Sequence, residues 1–173
     1  YQKGDLQRAK SEFEAVLQLA LTHDDLSGKG EALRMLADIA LAQGHFQAAR
    51  DGYAAALEAK EKTGQTSTYP PIQQALGVAE LKLKNYSAAK AWMRKSIDGF
   101  IGVNDLSGTA MVQRDLGVLA AAQGDFEGAL AWFASARSGF DRATNTGLLM
   151  DIRAQEALVH LRLGDLAKAD QML

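Results

Sequence analysis

The chain has 173 residues, 47% of them apolar and 23% charged, with no cysteine and a formal net charge of −2. That composition belongs to a folded globular protein, and the missing thiols exclude a disulfide framework, a cysteine nucleophile and a thiolate metal site. The 19 Lys and Arg are scattered, so the chain lacks the basic footprint of a nucleic-acid binder, and no apolar run reaches the ~20 residues that span a bilayer.

Apolar residues at three-and-four spacing predict helices, in chain order, over 5–22, 27–42, 45–62, 69–83, 85–102, 108–122, 125–142, 148–162 and 165–173. Every second one opens on a related triplet: Gly4-Asp5-Leu6, Gly44-His45-Phe46, Lys84-Asn85-Tyr86, Gly124-Asp125-Phe126 and Gly164-Asp165-Leu166, a period of 40 residues without a gap. Three residues on stands alanine (Ala9, Ala49, Ala89, Ala129, Ala169), and four further on a large apolar side chain (Phe13, Tyr53, Met93, Phe133, Leu173). Such self-similarity marks stacked repeats, each hiding its apolar face only against its neighbours. The expectation is an all-α array over 1–173, of about four units starting near 4, 44, 84, 124 and 164. The chain has no initiator Met and stops inside a repeat, as a piece of a longer protein would.

Local signals fit the turns. Glycine ahead of a triplet lets the preceding helix end in a left-handed conformation; Asp5, Asp125 and Asp165 are placed to cap the next N-terminus, Asn85 shares their position, and His45 is a poor substitute. The other connections are polar: Asp25-Leu26-Ser27-Gly28, Gly64-Gln65-Thr66-Ser67, Asp105-Leu106-Ser107-Gly108 and Thr144-Asn145-Thr146-Gly147. Pro70 and Pro71 fall at a helix start, where a missing amide hydrogen costs least. Gly77 and Gly117, with Ala37 and Ala157 in the equivalent slots, are expected to remove bulk facing the Ala49, Ala89 and Ala129 column.

No catalytic site assembles from the residue types present. His23, His45 and His160 lie far apart at unequal repeat positions without metal-ligand spacing, and Gly28-Lys29-Gly30 lacks the strand and the spacing of a phosphate loop. Trp92 and Trp132, one period apart, suit helix packing or a partly exposed ridge better than a stacking surface for a base or sugar. The reading is no enzyme, no cofactor and no metal.

These columns resemble the tetratricopeptide repeat. Gly124, Asp125, Phe126, Ala129, Phe133 and Ala136 match its second-helix pattern in full, and Leu36-Ala37, Leu76-Gly77 and Leu116-Gly117 supply the L-G step of its first helix. Leu33, Gln73, Gln113 and Arg153 stand where the family has Trp; Ala40, Glu80, Ala120 and His160 replace its Tyr; Glu61, Ile101 and Asp141 replace its closing proline. The longer period is similar to that of arrays in bacterial signalling regulators.

The resemblance implies a right-handed α-solenoid of antiparallel helix pairs whose first helices line a concave face. The family's ligand-contacting slots fall on Arg34 and Asp38, Gln74 and Val78, Arg114 and Val118, and Gln155 and Leu158. Arginines beside an apolar line suit an extended peptide with an acidic and an aliphatic residue. The slots of a chaperone carboxylate clamp hold Arg34 and Asp38, Ala75, and Met111 and Asp115, and the two acids would repel a carboxylate.

The expected function is a scaffold that binds a protein or peptide segment, with a ligand- or peptide-sensing regulatory domain of a larger bacterial signalling or transcription regulator as the alternative. Nucleic acid and membrane are not expected partners, and the expected compartment is the cytoplasm. Incompletely covered apolar residues near the ends, Leu6, Phe13 and Leu17 on one side and Leu166, Met172 and Leu173 on the other, predict weak self-association.

Overall fold

A computed structural model describes residues 3–64, 66–142 and 146–172. Parts of two connections, Gln65 and Thr144-Asn145, and the apolar terminus Leu173 lie outside the described residues. Among the described residues are α1 (Lys3–Thr22), α2 (Leu26–Ala42), α3 (Phe46–Thr63), α4 (Tyr69–Lys82), α5 (Tyr86–Gly102), α6 (Leu106–Ala122), α7 (Phe126–Arg142), α8 (Thr146–Leu163) and α9 (Leu166–Met172), with a 3-10 turn at Thr66–Thr68 and no strand. The predicted boundaries fall within two residues of the observed ones.

The helices stop where the sequence allows a left-handed residue. Gly44, Gly124 and Gly164 have φ of 78°, 82° and 78°, and Lys84 takes the same place at 63° without the freedom of glycine. The following amide then reaches back five residues: His45 N–H donates to the Ala40 carbonyl at 2.9 Å, Asp125 to Ala120 at 3.0 Å and Asp165 to His160 at 2.9 Å. These bonds satisfy carbonyls that the helix end would otherwise leave open.

N-termini are closed by aspartate. Asp25 accepts from the Gly28 amide at 2.9 Å, Asp105 from Gly108 at 2.8 Å, Asp125 from Gly128 at 2.9 Å and Asp165 from Lys168 at 3.2 Å. His45 makes no side-chain cap bond, as expected. Asp5 is a correction: α1 already begins at Lys3, so Asp5 lies inside the first turn and takes no capping role. Asn85 instead donates its side-chain amide to Glu80 at 2.7 Å. Pro70 and Pro71 sit in the first turn of α4.

Residue contacts divide the chain into two compact units, 1–92 and 93–173. In the first, α2 packs on α1 and α3, and α3 on α4, around Ala37, Ala49, Tyr53, Ala56, Leu57, Ile72, Leu76 and Ala79. In the second, α7 packs on α6 and α8, and α8 on α9; its core is Ala110, Ala120, Ala129, Phe133, Ala136, Phe140, Ile152 and Val159. Burying each of the two phenylalanines contributes about 1.5–3 kcal/mol, the largest single terms in that core.

One small residue of the first helices, Gly117, meets a different neighbour from the one expected. A Cβ on Gly117 would lie 2.5–3.0 Å from three ring atoms of Phe133, so the glycine faces the aromatic column and not the alanine column. The reason is geometric: Phe133 is completely buried, and its ring needs the space that a side chain at 117 would fill. Close alanine and glycine approaches do occur, where Gly52 meets Ala37, one of the expected slots, and Gly139 meets Ala110.

Candidate functional site

In the first unit α2 sets Arg34 and Asp38 one helical turn apart, which places their side chains together. Arg34 donates from Nη2 to Glu31 at 2.6 Å and from Nη1 to Asp38 at 2.9 Å, and the other Asp38 oxygen accepts from the Tyr53 hydroxyl at 2.6 Å. The Arg34 hydrogen bond holds the Glu31 carboxyl below its usual range and Glu31 in turn raises Arg34. Burial, then the hydrogen bond to Asp38, pushes the Tyr53 phenol well up. Arg34 is therefore engaged by two acids, and the network ties α2 to the aromatic column of α3. On α4, Gln74 and Val78 are half-buried and also one turn apart.

In the second unit Arg114 bridges two helices. It donates to Asp115 at 2.8 Å and, from α6 to α8, to Asp151 at 3.1 Å. Burial pulls its pKa down, but the Asp115 and Asp151 carboxylates outweigh it and hold the guanidinium above its ordinary value. Asp115 is buried, and the arginine helps to make its charge tolerable there. Both sequence-predicted arginines thus already carry acids of their own chain.

Beside that bridge Val118, Gln155 and Leu158 come together. With Ala121, Ala122, Phe126, Val159 and Arg162 they line an apolar groove of roughly 360 Å3 between α6 and α8. Leu158 is 55% exposed on its wall, which leaves an aliphatic side chain open to a ligand. Arg162 and Asp151 are absent from the sequence prediction. The signal that could have found them is spacing: 151, 155, 158 and 162 form one stripe along α8.

Three other buried charged groups have polar partners. Glu156 accepts from Arg137 at 3.3 Å, Glu80 from Asn85, and the Lys60 amine lies 3.3 Å from the Ser27 hydroxyl. His160 Nδ1 is 3.9 Å from Asp165 and has no hydrogen bond. Gly28 belongs to the Asp25 cap and Gly30 packs on the Lys60 stem, which gives Gly28-Lys29-Gly30 a structural explanation. Trp92 packs against the first core, and Trp132 is partly exposed. Among the described residues no group of three or more His, Asp or Glu is placed to hold a metal ion, and no helix is long and apolar enough to cross a membrane.

Against this geometry the family comparison is decisive. The profile described as tetratricopeptide repeat matches residues 1–63 and 75–144, more than half of the chain. The chain belongs to the tetratricopeptide-repeat family. Its fold class is accordingly the all-α solenoid of that family. No curated protein sequence matches the chain.

Solved structures show the same fold at low identity. BtubC (BKLC) from P. vanneervenii superposes with a TM-score of 0.83 at 19% identity, covering 99% of this chain and 72% of that one. A Rap protein complexed with competence and sporulation factor gives 0.84 at 13%, covering 99% and 48%, so the present chain spans about half its length. YrrB, a tetratricopeptide-repeat protein with an unusual peptide-binding site, gives 0.59 at 18%, covering 98% and 75%.

Proposed function

We propose that this tetratricopeptide-repeat chain is a non-catalytic module that binds a peptide or protein segment on the exposed faces of its first helices. The observation that carries the reading is the α6–α8 groove, where Val118, Gln155 and Leu158 meet around an apolar channel. An amide beside half-buried Val118 and exposed Leu158 suits an extended backbone with one apolar anchor. In the first unit Gln74 and Val78 offer the same pair of residue types on α4. Arg34, Asp38 and Arg114 belong to the set as positioning residues, since their ion pairs fix the helices that carry the contact surface. The peptide-binding site of YrrB supports the class of partner.

Selection of random peptides displayed on phage, with the whole chain as target, tests this reading. Enriched peptides should lose binding to the Leu158→Glu variant, which places a charge in the apolar channel while an exposed site leaves the helices intact. Selection that enriches no binding peptide contradicts the proposal.

The likeness to the Rap complex also favours a second reading, a peptide-sensing regulatory domain of a larger bacterial regulator. It differs in requiring that peptide binding change the spacing of the helices, which scattering with and without a selected peptide would register.

A further inference from the structure

The two arginines that the family slots nominate are both neutralised, and a third cation takes the open place in the groove. Arg162, on the last turn of α8, lines the α6–α8 channel and is exposed, with no ion pair or hydrogen bond to any described residue. The acid nearest in sequence, Asp165, is engaged by the Lys168 amide at 3.2 Å and the Lys168 amine at 3.1 Å. Towards the other end of the same helix Arg114 pairs with both Asp115 and Asp151. The channel is therefore apolar at Val118 and Leu158 and cationic at Arg162.

Leu158 and Arg162 are four residues apart on α8, about 6 Å along the axis at 1.5 Å per residue. An extended peptide rises about 3.3 Å per residue, and its side chains i and i+2 point the same way. The spacing thus matches one aliphatic side chain and one second-neighbour side chain. Building on the groove reading above, we propose that the partner of the α6–α8 channel is an internal, extended peptide segment with an aliphatic residue followed, in one direction or the other, two residues away by Asp or Glu, held by Arg162. The guanidinium fork takes a carboxylate in a bidentate manner.

The experiment is the random decapeptide selection run in parallel on the native chain and on Arg162→Glu, an exposed substitution without a partner to disturb. Selected peptides are then synthesised with both termini blocked and measured by fluorescence anisotropy. The native chain should enrich an aliphatic and an acidic residue two positions apart, and R162E should replace the acid by Lys or Arg at that position. Affinity of native-selected peptides for R162E should fall about tenfold or more, the effect of losing one charged hydrogen-bonded contact. Peptides that bind native chain and R162E equally, or that carry no acid at a fixed spacing, would overturn the Arg162 assignment while leaving groove binding intact. Loss of binding in L158E but not in R162E has the same meaning. A selection that enriches nothing on either chain removes both proposals.

Discussion

Lys84 holds φ 63° at the turn where Gly44, Gly124 and Gly164 occupy the matching positions. A left-handed residue with a Cβ costs roughly 1–2 kcal/mol, and glycine gives back part of that through its freer unfolded chain, so Lys84→Gly should stabilise by about 0.5–1 kcal/mol in a denaturant melt. His45 offers the complementary case. It stands at an N-terminus without a cap bond, where Asp125 and Asp165 do cap, and His45→Asp should add about 1 kcal/mol. Glu31 ties stability to pH. Its carboxyl lies below the ordinary 4.5 because Arg34 hydrogen-bonds it, so its contribution is present above that value and is lost as pH falls through the depressed one. The thermal midpoint should therefore decline as pH falls below 4.5, and Glu31→Gln should flatten that decline slightly, since the side chain is half exposed. The sign would be wrong if E31Q steepened it.

At the scale of helix pairs, the α6–α7 contact depends on Gly117 leaving room for Phe133. Gly117→Val should overpack that contact and destabilise by about 1–3 kcal/mol, and Phe133→Leu in the same chain should recover part of the loss; a double-mutant cycle measures the coupling. Arg114→Glu tests the other tie. It leaves buried Asp115 facing like charge, so it should cost about 3 kcal/mol or more in a chemical melt. A stability unchanged by that substitution would return Arg114 to the role of a free ligand contact. These two cases show what sequence reading reaches. The helices are legible because Ala129, Phe133 and Phe140 repeat at helical spacing and the glycines mark each end. The groove is half legible, because Val118 and Leu158 keep the 40-residue period of their slot, whereas Gln155 stands one residue past the position that matches Arg34, Gln74 and Arg114. Arg114's engagement is not, because Asp151 lies 37 residues away and is brought near only by packing. Nor does the pattern say which column Gly117 faces, since that depends on the ring orientation of Phe133.

Across the whole molecule, apolar side chains remain uncovered at α1 and at the α8–α9 junction: Leu19 is 61% exposed and Leu166 66%. Such surfaces favour stacking of copies, and light scattering over a concentration series should show weak self-association that Leu19→Glu and Leu166→Glu suppress. Binding is the larger claim, and it makes the first-helix faces the contact surface. The direct measurement is a backbone amide NMR titration of the chain with a selected, terminally blocked peptide. The largest shift changes should map to Val118, Ala121, Gln155, Leu158 and Arg162 on α6 and α8, with Trp132 and its α7 neighbours nearly unmoved. Changes concentrated around Trp132, with the α6–α8 groove silent, would contradict the account.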